Sequence, residues 1–223
     1  MTGRRLSAAD EFIARFDQGL RTVFGRPETT ERPDPATQTP ETVLEPAERD
    51  LSIRLMRINH AGEVAAQGLY QGQALTAKLP EVRAEMERAA QEENDHLVWC
   101  EHRLEALGGQ TSRLNPLWYT GSVAIGALAG AVGDQWSLGF VAETERQVEH
   151  HLDGHLQRLP EKDAKSRAVL QQMREDEIEH GETAQAAGGA SLPAPVRHLM
   201  GLVSKVMTRA AYVSATDNYL VLA

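Results

Sequence analysis

From Leu51 onward, apolar residues return every three or four positions with charged residues between them, the pattern of amphipathic helices. The stripes predict helices over 48–78, 81–107, 117–158, 163–187 and 195–218. Pro80 and Pro160 mark turns, Gly108-Gly109 and Gly188-Gly189 are stop signals, and the third segment has a break point near Gly133-Asp134. No stretch keeps the two-residue alternation of a strand, so the chain reads as an all-α helical bundle. Ahead of the bundle, Phe12, Ile13, Phe16, Leu20, Val23 and Phe24 fall at helical spacing, with Arg4, Arg5, Arg15 and Arg21 on the polar side. They predict an amphipathic helix within 1–25, either a surface or partner helix or a cap on its own bundle. Asp10, Glu11 and Asp17 argue against a secretory signal or transit peptide. Residues 26–47 hold five of the ten prolines, interleaved with Thr and Glu, and read as a linker, extended or disordered. The organisation expected is therefore an N-terminal helix (1–25), a Pro/Thr/Glu-rich linker (26–47) and a helical domain (48–223).

The length of 223 residues suits one domain with appendages and is enough to bury a core. With 23 basic and 32 acidic residues the net charge is −9, which argues against a nucleic-acid binder. Only 5% of residues are aromatic, in keeping with the helical reading. Cys100 is the single cysteine, which excludes a disulfide scaffold and points to a reducing compartment.

Charge placement changes the picture more. Two histidines follow a glutamate by three residues, in Glu93-x-x-His96 and Glu177-x-x-His180. With 22 glutamates and eight histidines the pairing alone is weak, so placement has to decide. Around Glu93 the positions at helical spacing include Met86, Ala89, Leu97, Cys100 and Leu104, and around Glu177 they are Leu170, Met173 and Ala184. Glu145 interrupts the stripe Leu138, Val141, Ala142, Val148, Leu152, and Glu63 lies one heptad from both Met56 and Tyr70. A lone carboxylate on a core face is destabilising by several kcal/mol even after relaxation, so something must compensate.

Glu63 and Glu93 are 30 residues apart, and Glu145 and Glu177 are 32 apart, with Pro80 and Pro160 near each midpoint. At about 1.5 Å of rise per residue, each hairpin brings its two glutamates to similar depth. Two hairpins packed face to face would gather four carboxylates and two imidazoles at mid-bundle, the ligand set of ferritin-like di-iron or di-manganese proteins. Four carboxylates and two divalent cations also sum to a neutral cluster that a core can hold. Each glutamate taken singly reads as a solvated surface residue; the doubled spacing of all six favours the cluster.

The segments Ile58-Asn59-His60-Ala61-Gly62-Glu63, Glu92-Glu93-Asn94-Asp95-His96, Val141-Ala142-Glu143-Thr144-Glu145 through His150-His151, and Asp176-Glu177-Ile178-Glu179-His180 together resemble the demethoxyubiquinone hydroxylase family. The likeness covers about residues 50 to 220, with four motifs in the family's order. It implies a ferritin-like four-helix bundle with additional N- and C-terminal amphipathic helices. It also implies that Glu63, Glu93, His96, Glu145, Glu177 and His180 ligate two iron ions, with Glu93 and Glu177 bridging. In the third motif Glu145 aligns, not Glu143. His151 is expected either as an outer-shell residue that orients a ligand or relays a proton, or as a polar surface histidine. His60 shares the face of Glu63 and is not assigned as a ligand.

The activity implied is insertion of one oxygen atom from O2 into the ring of a polyprenylated demethoxyubiquinol, a late step of ubiquinone biosynthesis. NADH or the quinol itself would supply electrons, and the sequence holds no Gly-rich dinucleotide-binding motif. Leu114 to Gly133 is a twenty-residue run without charge, with Gly126-x-x-x-Gly130 inside it. Its modest hydrophobicity favours a helix that packs in the bundle at one end and meets lipid at the other. Val196, Leu199, Met200, Val203, Val206 and Met207 form a last stripe, either core or interfacial. The resemblance implies peripheral attachment to the cytoplasmic side of the inner cell membrane. Partners would be the lipid substrate, other ubiquinone-biosynthesis enzymes and a lipid-binding accessory protein. The alternative function is a ferritin-like iron-storage or oxidant-scavenging protein.

Overall fold

The computed structural model describes residues 7–30 and 32–213. Helix α1 (Ala8–Phe24) opens on a capping box, in which Ser7 Oγ accepts from Asp10 N at 3.2 Å and Asp10 accepts from Ser7 N at 2.8 Å. An extended segment with one 3₁₀ turn (Pro35–Gln38) leads to α2 (Pro46–Thr76). Helix α3 (Pro80–Leu107) starts on its proline and stops at Gly108, whose φ of 75° is the left-handed conformation that ends helices.

The uncharged run forms α4 (Asn115–Val132), and Gly133 (φ 147°) separates it from α5 (Asp134–Arg158). The segment read as 117–158 is therefore two helices, divided at the expected break. Asp134 fixes that corner by accepting from the backbone N–H groups of Lys78 and Leu79, at 3.0 and 2.9 Å. Helices α6 (Ala164–Ala186) and α7 (Ala194–Val213) complete the chain. The expected stretch from 214 to 218 and the basic residues Arg4 and Arg5 lie outside the described residues. The described residues contain no strand, and the fold is an all-α, ferritin-like bundle.

Hairpins α2–α3 and α5–α6 make the four-helix body, and α4 lies along α2. Glycines explain that closeness. A Cβ at Gly72 would collide with the Val123 carbonyl, and one at Gly126 with the Leu69 carbonyl, so the two backbones meet across reciprocal glycines.

The core has two apolar halves. One holds Leu55, Met56, Trp99, Cys100, Leu152, Leu170 and Met173; the other holds Tyr70, Ala74, Met86, Leu138, Val141 and Ala184. Every body helix contributes to both. Between its two contributions each places a glutamate: Glu63 between Met56 and Tyr70, Glu93 between Met86 and Cys100, Glu145 between Val141 and Leu152, Glu177 between Met173 and Ala184. Helix periodicity thus puts one polar band across the middle of an otherwise apolar interior.

Candidate metal centre

All six residues singled out from the sequence meet in that band. His96 Nδ1 lies 2.9 Å from Glu93 Oε2, 3.4 Å from Glu177 Oε1 and 3.8 Å from Glu63 Oε2. His180 Nδ1 lies 3.0 Å from Glu93 Oε1 and 3.7 Å from Glu177 Oε2. Glu93 and Glu177 therefore each turn one oxygen to each imidazole. Glu63 stands at the His96 end, and Glu145 lies beside Glu177 and accepts from the Tyr70 hydroxyl. One donor atom from each of Glu63, Glu93, His96 and Glu177 falls within 4.8 Å of the others.

The far nitrogen of each imidazole is held by the opposite hairpin. His96 Nε2 is 2.7 Å from Asp176 Oδ2, and His180 Nε2 is 2.7 Å from Glu92 Oε2. These acids immediately precede Glu177 and Glu93, so each Glu-x-x-His motif carries a neighbour that orients the other motif's histidine. A carboxylate on Nε2 turns Nδ1 inward and raises its basicity. The sequence reading missed both residues. The available signal was an acid placed immediately before each motif, in Glu92-Glu93 and Asp176-Glu177.

The segment before α2 also reaches this region. Arg32 Nη2 sits 2.9 Å from Asp176, Arg32 Nε donates to Asp95 Oδ2 at 2.8 Å, and the guanidinium lies 5.0 Å from the Trp99 ring centroid. Thr30 N donates to Asp95 at 2.8 Å, Asn94 donates to the Glu28 carbonyl at 2.7 Å, and Ala36 joins the core. The described residues of the Pro-rich stretch lie packed along α3 and α6 as a strap.

Electrostatics test whether cations belong here. Burial, then the Glu93 and Glu177 charges, pushes the Glu63 carboxyl well above its ordinary range, and the same holds for Glu145 beside Glu177 and Glu93. Burial opposes charge on His96, yet Glu93, Asp176, Glu177 and Glu63 drive its basicity well up. Burial likewise opposes charge on His180, while Glu177, Glu92 and Glu93 raise it. Cations between the carboxylates would do what these protons do. Glu93 Oε1, Glu177 Oε2 and His180 Nδ1 are buried without an aligned hydrogen-bond partner, and all three face the middle of the cluster. Oxygen and imidazole donors without thiolate suit iron or manganese. The residues fit a metal site.

Glu143 pairs instead with Arg146 at 2.7 Å, consistent with Glu145 as the residue of interest on α5. His151 is in neither imidazole's outer position, which carboxylates fill. It lines an apolar cavity and stacks on His155 with 6.3 Å between ring centroids. His60 is buried beside Asn115, with His60 Nδ1 3.4 Å from the amide nitrogen. The cavity, of about 280 Å³, runs between α2, α4, α5 and α7 and reaches Glu63.

A family described as "Ubiquinone biosynthesis protein COQ7" matches residues 50–211. The chain belongs to this family. Relatives cover nearly its whole length. A Nitrosococcus oceani protein is 61% identical over 212 residues, 95% of this chain and 99% of the relative. A Ralstonia pickettii protein is 56% identical over 214 residues, 91% of this chain and 98% of its own. A third, from Cupriavidus metallidurans, is 58% identical over 205 residues, covering 91% and 99%. All three are named 3-demethoxyubiquinol 3-hydroxylase. The COQ7 match spans all six cluster residues, the outer acids Glu92 and Asp176, and every residue that lines the cavity.

Proposed function

We propose that this chain is a 3-demethoxyubiquinol 3-hydroxylase that holds two iron ions in the band of four carboxylates and two imidazoles. The observation that carries the reading is that band, with Glu93 and Glu177 each turned to both histidines, in a chain 61% identical to a hydroxylase. Glu63, Glu93, His96 and Glu177 would hold one ion, and Glu145, Glu93, Glu177 and His180 the other. Iron bound there supplies the activation of O2, which side chains do not offer. The balance is a ring C–H, O2, two electrons and two protons giving a ring C–OH and water. Electrons come from outside the cluster, from a nicotinamide donor or the quinol.

The chain's own groups prepare the site. Asp176 and Glu92 fix the imidazoles, and Tyr70 donates to Glu145. The two apolar halves of the core exclude water on either side. The cavity reaching Glu63 suits an apolar ring with a prenyl tail, a feature that iron storage does not use.

The tail implies a lipid source. Helices α1, α4 and α7 expose Ile13, Phe16, Leu128, Val132, Leu202 and Val206, and no helix among the described residues is long and apolar enough to cross a membrane. Peripheral attachment to the inner face of the cell membrane through these helices fits both facts. Residues 48–223 would then be the hydroxylase domain, 1–25 a membrane-contact segment and 26–47 the strap.

The test is a single turnover. Chain loaded with ferrous iron under anaerobic conditions is mixed with demethoxyubiquinol and ¹⁸O2. One labelled oxygen in the ring product supports the reading; mineralised iron without labelled product rejects it.

A further inference from the structure

The cavity wall is apolar along most of its length, with Ile58, Leu69, Val148, Leu152, Val203 and Met207 among its residues. Two polar side chains on facing helices break it. Asn59 of α2 and His155 of α5 are only 6% and 5% exposed, and His155 Nδ1 lies 2.8 Å from Asn59 Oδ1. Apolar surroundings would favour a leucine at either position, and burying this pair is unfavourable unless its polar atoms are used.

The hydrogen bond sets the chemistry of the ring. Burial, with the nearby His151 and Arg158, pushes His155 down to about 4, so the imidazole is neutral at pH 7. A neutral imidazole carries one N–H, and Asn59 Oδ1 can only accept. The proton therefore sits on Nδ1, and Nε2 is a bare acceptor on a residue that lines the cavity. Asn59 Nδ2 is buried without a hydrogen-bond partner.

Position gives the acceptor a purpose. Asn59 and Glu63 are four residues apart on α2, one helical turn and about 6 Å of rise. Glu63 and His155 line the same cavity, so a ring held at His155 lies in the space that reaches the cluster. A quinol presents a hydroxyl, which donates; the oxidised quinone presents a carbonyl, which accepts. A bare nitrogen bonds the first and repels the second. We propose that His155, with its tautomer fixed by Asn59, binds a ring hydroxyl of the substrate and so selects quinol over quinone. The proposal rests on the hydroxylase reading for the identity of the ring, but it concerns binding. His155 is the recognition residue, and Asn59 positions it.

The test is equilibrium binding of a short-chain demethoxyquinol and its quinone to the iron-loaded full chain, held anaerobic in detergent. Wild type is expected to bind the quinol about tenfold more tightly, the size of one net hydrogen bond plus the loss of a lone-pair clash. His155→Phe should bring the ratio close to one with iron content unchanged. His155→Gln, which keeps volume and polarity and serves if the phenylalanine does not fold, should leave a ratio of roughly two to three, because an amide both donates and accepts. Asn59→Leu should lower the ratio by freeing the tautomer, a change that looser packing alone would not produce. Equal affinities in wild type, or an unchanged ratio in His155→Phe and His155→Gln, would overturn the proposal. Labelled product without quinol preference removes this proposal and leaves the hydroxylase; preference without product does the reverse.

Discussion

The two ends of the polar band carry the same motif in different surroundings. At one end His96 is fully buried, and its Nε2 rests on Asp176, which is 11% exposed and braced by Arg32 at 2.9 Å and Gln172 at 3.0 Å. At the other end the His180 side chain is 11% exposed. Its Nε2 rests on Glu92, itself 35% exposed, with Arg88 3.9 Å from the carboxylate. The repeat within the chain sets where the six groups sit. What lies outside the repeat, the strap through Arg32, makes one end stiffer and drier than the other. A symmetric ligand set can therefore hold two unequal metal positions.

Removing a group that serves both ends has the largest effect. Glu177→Ala should reduce metal from about two ions per chain to below one, and lower single-turnover product by more than about a hundredfold, read by metal analysis and mass spectrometry. Retention of both ions and full turnover would remove Glu177 from the site.

The outer acids separate the ends. Asp176→Asn should weaken metal binding by roughly 10- to 100-fold, and Glu92→Gln by only a few-fold, because the exposed partner is replaceable by water. Competition against a chelator measures both. In wild type the same competition should strip metal in two phases, the His180 end first. Arg32→Ala should merge the phases and lower stability by about 1–2 kcal/mol, a value discounted for the partial exposure of the guanidinium. Denaturant unfolding of the iron-loaded chain reads the second quantity. The smallest effect is expected from Arg88→Ala. Its pairs with Glu85 and Glu92 are solvent-exposed, so stability and the two phases should stay within about 0.5 kcal/mol of wild type.

Local pattern carried the symmetric part of this design. A glutamate interrupting an apolar stripe is visible in one dimension, and hairpin spacing places four of them at one depth. The six residues and the four body helices were readable for that reason. The asymmetric part is tertiary. Thr30 and Asp95 are 65 residues apart, and nothing in a Pro-, Thr- and Glu-rich stretch announces that its arginine will sit on a buried acid. Glu92 and Asp176 are not legible in this way, because an acid next to a core residue on a helix ordinarily faces solvent. The close approach of α4 to α2 was half visible. Gly126 and Gly130 stood out, whereas the partner glycines Gly68 and Gly72 gain meaning only once the helices are seen to touch.

The central claim is that one buried band grips two cations. Anomalous diffraction at the iron edge from ferrous-loaded crystals addresses it most directly. Two peaks are expected between Glu93 and Glu177, one beside His96 and Glu63 and the other beside His180 and Glu145. A single peak, or iron bound elsewhere with these six side chains unengaged, would contradict the account.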